Sequence, residues 1–196
     1  MKFGLALFCV VLLLSIFSCR STDTSTPANE KYSFTDKKEL KVDGRILKLE
    51  DTPKTIPEEI VIKDFLYTIT AEFDKKYDIF ANIDSYVILI RNEKLLFEEG
   101  IYAGSYIIHN ITTLSKEQYS RSTTAAGEFN PLYYWGYQHS VDEFGLTEYK
   151  IVNVDFSIGF ATGGMQWHDG RKYNKSFLVG KNSSDSTYKI YDFTTM

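Results

Sequence analysis

Acids and tyrosines are the side chains of this chain most able to move protons: 26 Asp and Glu and 14 Tyr stand beside only 3 His and 2 Cys. Asp155 has the most informative setting of the acids. It lies in the alternating run 148–160, where a pocket carboxylate would have its pKa raised by burial. The same alternation also places it on a solvent face with Asn153 and Ser157, and both readings stay open. His109, His139 and His168 have no i, i+4 or other metal-ligand spacing. They read as separate structural or surface histidines, and no metal site is expected. No Gly-x-Ser-x-Gly or phosphate-cradling loop occurs, Gly163-Gly164 reads as turn chemistry, and no cofactor is expected. Tyr133, Tyr134, Trp135 and Tyr137, with Trp167 in a loop, are the most concentrated aromatic surface. Such rings line ligand clefts, anchor interfaces or simply fill a core.

The elements that must position these groups follow from periodicity. Pro57 opens a helix, with Glu58 and Glu59 suited to its positive end. Ile62, Leu66, Ile69 and Phe73, flanked by Val61 and Phe65, form its apolar stripe, and Lys63, Asp64, Tyr67 and Thr70 fall off it. Asp74 is placed to cap a short helix through Asn82 that turns Tyr77 and Phe80 inward. Residues 84–100 fit a buried strand or a helix, and the face made by Leu89, Ile90, Leu96 and Phe97, with Gly100 as a stop, favours the helix. After Gly104 the period becomes two, with strands expected over 106–113, 148–160, 172–179 and 187–194. In 148–160, Val152, Val154, Phe156, Ile158 and Phe160 face one way. Further upstream, Asp43-Gly44 between two alternating segments predicts a hairpin.

Lys2, the apolar run 3–17 and Ser18-Cys19 have the layout of an export signal, and the run is shorter than the ~20 residues that span a bilayer. Leu14-Ser15-Ile16-Phe17-Ser18-Cys19 resembles the lipobox of bacterial lipoproteins, whose cysteine is diacylated on sulfur before cleavage. That resemblance implies a fatty-acyl (palmitate-type) anchor on Cys19 and display on the extracytoplasmic face of a cell membrane. An ordinary secretory signal cut near Ser18 or Ser21 is the alternative. With Cys9 removed and Cys19 acylated, no free thiol is left in an exported chain. Cleavage also removes Lys2, moving the net charge from −4 to −5. The charge is mixed, with no basic block, so nucleic acid is not an expected partner. Residues 20–29 carry no large hydrophobe and cannot offset their ordering entropy.

The chain therefore divides into a signal (1–18), a flexible tether (19–30), an extension with the hairpin (31–55) and an α+β domain (56–196). Residues 57–66, the short helix from Asp74 and the ending Tyr188-Lys189-Ile190-Tyr191-Asp192-Phe193 resemble the nuclear-transport-factor-two-like superfamily, and more narrowly its uncharacterised bacterial lipoproteins. The resemblance implies N-terminal helices packed in a curved antiparallel sheet, a cone-shaped half barrel with a pocket at its open end. It constrains shape more than chemistry, and three uses stay open, the first of them the expected one. The first is a non-enzymatic domain that binds a small ligand or a protein. The second is a small isomerase or hydrolase using a buried acid and tyrosine, for which Asp155 and Asp192 are the acids at hand. The third is an assembly protein with a filled cone, whose exposed aromatics would form a homodimer surface. The ligand-binding candidates are Tyr133, Tyr134, Trp135, Tyr137, Asp155 and Trp167.

Overall fold

Thr55 starts the principal helix, α1 (Ile56–Thr70), through a capping box. Its backbone is extended, its hydroxyl accepts from the Glu58 N–H, and Glu58 Oε2 accepts from Thr55 N at 3.1 Å. Glu58 also accepts from Thr113 N and Thr113 Oγ1 at 2.9 and 2.8 Å through Oε1. One buried carboxylate thus satisfies the helix start and fastens it to the end of a strand. Ala71, at φ 59°, closes the helix in the left-handed conformation. The computed structural model describes residues 38–114, 136–161 and 171–195.

The expected stripe of α1 is buried, but Asp64, Tyr67 and Thr70 are buried with it. The reason is that α1 is covered on more than its sheet side. A 3-10 turn (Phe73–Lys75) and α2 (Lys76–Ile79) fold back beside it, and α3 (Asp84–Glu98) packs against those two. Phe80 points inward as expected and bridges to Ile190, whereas Tyr77 is 42% exposed. Asp74 makes no cap and instead lies 3.6 Å from Lys94. Residues 84–98 are helical, and Gly100 at φ 81° follows the stop. Only Ile90 of α3 is fully buried, and Leu96, expected on the inner face, is exposed.

Six strands form one sheet in chain order: β1 (Glu39–Val42), β2 (Arg45–Leu49), β3 (Ala103–Thr113), β4 (Glu148–Phe160), β5 (Lys172–Lys181) and β6 (Lys189–Thr195). Asp43 and Gly44, both at positive φ, make the β1–β2 turn. The fold is α+β, but the sheet is mixed and not wholly antiparallel, because β2 runs parallel to β3. The helices α1 to α3 lie between those two strands in the chain and supply the long crossover that a parallel pair requires. Through β2 the hairpin is part of the main sheet.

The sheet carries apolar side chains on both faces. Phe65 of α1 meets Tyr106, Phe156 and Phe177 edge-on at 5.0, 5.1 and 6.3 Å. On the other face α4 (Tyr137–Glu143) packs over Ile151, Leu178 and Tyr191, so the β4 alternation does not leave Ile151 in water. This second cluster ends partway along β4, and Asn153, Asp155 and Ser157 beyond it are partly exposed.

Candidate functional site

The alternation that packs β4 and β5 against α1 also builds a cavity of about 350 Å³. Tyr106 of β3, Phe156, Ile158 and Phe160 of β4, and Tyr173 of β5 supply its apolar walls. Asp64, Phe65 and Thr68 reach it from α1, Glu93 from α3, and Lys175 from β5. Small-molecule pockets occupy roughly 300–1,000 Å³ and combine such walls with a few convergent polar groups.

Those polar groups form an ion cluster. Lys76, only 1% exposed, lies 2.9 Å from Asp64 and also hydrogen-bonds Glu93. Lys175 lies 3.6 Å from the other Asp64 oxygen, beyond hydrogen-bonding distance, and its ammonium sits 4.0 and 4.6 Å from the ring centres of Phe193 and Phe177. Burial alone would raise the Asp64 pKa, but Lys76 and then Lys175 outweigh it and hold the carboxylate below its ordinary range. Burial alone would lower Lys76, and Asp64 and Glu93 reverse that. Lys175 has weaker compensation. Burial lowers it, Asp64 opposes, Lys76 adds to the lowering, and the net shift is downward. Tyr106 is pushed far up by burial, with Glu93 and Asp64 adding to the effect, so it remains a neutral hydroxyl donor. Among the described residues that hydroxyl makes no hydrogen bond.

Of the residues singled out in the sequence, Cys19, Tyr133, Tyr134, Trp135 and Trp167 lie outside the described residues. Tyr137 is buried, donates to the Ser176 carbonyl at 2.7 Å and packs with Ile151, Leu178 and Tyr191. Asp155 accepts from Asn174 Nδ2 at 2.7 Å and Asn110 Nδ2 at 3.4 Å, on the face opposite the cavity. Neither lines the cavity. Asp192, the other acid considered, accepts from Ser140 Oγ at 2.7 Å. The acids and tyrosine that do meet there, Asp64, Glu93 and Tyr106, escaped sequence reasoning together with Lys76 and Lys175. One signal was available: Asp64 stands directly before Phe65-Leu66, and Lys175 alternates with Tyr173 and Phe177, so each is a charge on an apolar surface.

A second arrangement was also missed. His109 Nδ1 is 2.8 Å from Glu50 Oε2, and its Nε2 is 2.8 Å from Ser157 Oγ, the connectivity of a Ser-His-acid triad. Its surroundings do not suit acyl transfer. Ser157 sits within a strand paired on both sides, where the ladder occupies backbone donors, and Glu50 is exposed and shared with Lys48. The three groups instead connect the end of β2 to β3 and β4. Among the described residues, no group of three or more His, Cys, Asp or Glu is placed to hold a metal, and no helix is long and apolar enough to cross a membrane.

No family model, curated protein or solved structure matches this chain.

Proposed function

We propose that the folded unit is a non-enzymatic binding domain that takes a small, largely apolar or aromatic molecule into the cavity between α1, α3 and β3 to β5. The observation that carries this reading is the cavity itself: about 350 Å³, walled by Phe65, Tyr106, Phe156, Ile158, Phe160 and Tyr173, with Asp64, Thr68, Glu93 and Lys175 as its polar groups. In the same proposal the sheet is the curved wall of a nuclear-transport-factor-two-like cone. Residues 1–18 act as a lipoprotein signal, and acylated Cys19 holds the domain at the extracytoplasmic face of a cell membrane. Two acyl chains give stable anchoring where one is marginal.

The enzymatic reading has one specific observation in its favour, since Asp64 and Tyr106 face the same cavity. Proton abstraction, however, needs a base whose pKa lies near the working pH. Asp64 is shifted the other way by Lys76 and Lys175, which favours binding over catalysis.

A neutral environment-sensitive fluorophore, N-phenyl-1-naphthylamine, tests the binding claim. Saturable enhancement is expected with the wild type and its loss with Ile158→Trp, which fills the cavity from a half-buried position. Equal enhancement in both proteins, or none in the wild type, refutes the reading. Metabolic fatty-acid labelling tests the anchor. Cys19→Ala should abolish incorporation, and unchanged labelling removes the lipid claim.

A further inference from the structure

We infer that the molecule bound in this cavity carries a carboxylate, received by Lys175 with Tyr106 as a second donor. This rests on the small-ligand reading above and specifies the ligand class. Lys76 is already matched, with Asp64 at 2.9 Å and a hydrogen bond to Glu93. Asp64 is therefore shared, and Lys175 is held by it only at 3.6 Å. The faces of Phe193 and Phe177 lie against the Lys175 ammonium and attract its charge but accept no directed N–H bond of ordinary strength, while Lys76 and Glu93 act on it through charge alone. Tyr106, across the same cavity, has a neutral hydroxyl with no hydrogen bond among the described residues. Two donors facing one cavity call for an acceptor. A carboxylate offers two oxygens and a single charge, and a charge-assisted hydrogen bond is among the stronger polar contacts. A dianion such as a phosphate monoester is disfavoured, because Asp64 and Glu93 line the same space and would repel it more strongly. The aromatic walls then favour an apolar or aromatic body behind the carboxylate.

The test compares 2-naphthoic acid with 2-naphthamide, a neutral analogue of nearly the same shape, by displacement of N-phenyl-1-naphthylamine. In the wild type the acid should bind about tenfold more tightly than the amide, the scale of one hydrogen bond to a charged group. Lys175→Met should erase that preference while leaving the amide nearly unchanged. Tyr106→Phe should weaken the acid several-fold and gives an independent reading if Lys175→Met fails to fold. Equal affinity for acid and amide in the wild type overturns the carboxylate inference while leaving small-ligand binding intact. A preference for the acid that survives in both variants also overturns it, by placing the acid elsewhere on the surface. If N-phenyl-1-naphthylamine itself shows no saturable binding to the wild type, the cavity reading fails, and the inference fails with it.

Discussion

Lys76→Met removes the most enclosed charge among the described residues, and its cost can be worked from the structure. Methionine keeps most of the side-chain volume, so the change is chiefly electrostatic. In the native protein the Lys76 ammonium lies 2.9 Å from Asp64 and hydrogen-bonds Glu93. At an effective dielectric of about 20, one pair at that separation attracts by about 6 kcal/mol, and desolvation offsets much of it. Removing the lysine does not return that desolvation. It leaves the buried Asp64 carboxylate with only the more distant Lys175, and Glu93 without its partner. Loss of one member of a buried pair costs about 3–5 kcal/mol, and that loss is expected here. Urea denaturation followed by intrinsic fluorescence would measure it as a lowered midpoint with an unchanged slope. In the double variant Lys76→Met/Asp64→Asn the abandoned charge is also removed. The combined cost should therefore fall short of the sum of the single costs by about 0.5–3 kcal/mol. A Lys76→Met cost below about 1 kcal/mol, or strictly additive variants, would refute the reasoning.

Three further outcomes follow from the same structure. The folded-state pKa of Asp64 is depressed, so its contribution is fully present above the unfolded value of about 3.9 and is lost as pH falls through the folded value. Asp64→Asn should accordingly lose less stability between pH 5 and pH 2 than the wild type, relative to each protein at pH 7, in acid titrations monitored by circular dichroism. Glu58→Ala breaks the capping box and frees the Thr113 N–H and hydroxyl, and a cost of about 1–3 kcal/mol by urea denaturation is expected. At Gly180 a Cβ would meet the Glu148 carbonyl oxygen at 2.8 Å and Leu146 Cδ1 at 3.0 Å. Because the nearer contact is backbone, Gly180→Ala should destabilise by about 1–3 kcal/mol, whereas a free surface site would be nearly neutral.

Local rules made much of this fold readable. The spacing of Val61, Ile62, Phe65, Leu66 and Ile69 gave α1, Asp-Gly gave the β1–β2 turn, and strict alternation gave β4 over 148–160. Each signal is carried by neighbours in sequence. What could not be read depended on distant pairings. That β2 lies parallel to β3 is a choice of partner across more than fifty residues, which no period encodes. Ile151 is buried because α4 covers the far face, although its alternation matches that of the partly exposed Asn153. The cavity was illegible for the same reason. Asp64, Lys76, Glu93 and Lys175 are each an ordinary charged residue on its own segment, and only the fold makes them a cluster. Of the two readings open for Asp155, the face shared with Asn153 and Ser157 is the one found, where two asparagines hold it opposite the cavity. Asp64, off the stripe of its helix, is the acid that meets the cavity.

The central claim is that the space between α1 and β3 to β5 takes a small ligand, and a titration of the isotope-labelled protein with N-phenyl-1-naphthylamine, read by amide chemical shifts, tests it most directly. Saturable shifts concentrated around Phe65, Tyr106, Phe156, Tyr173 and Lys175, and absent in Ile158→Trp, are predicted. Shifts confined to the face bearing His109 and Ser157, or no saturable shifts, would contradict the account.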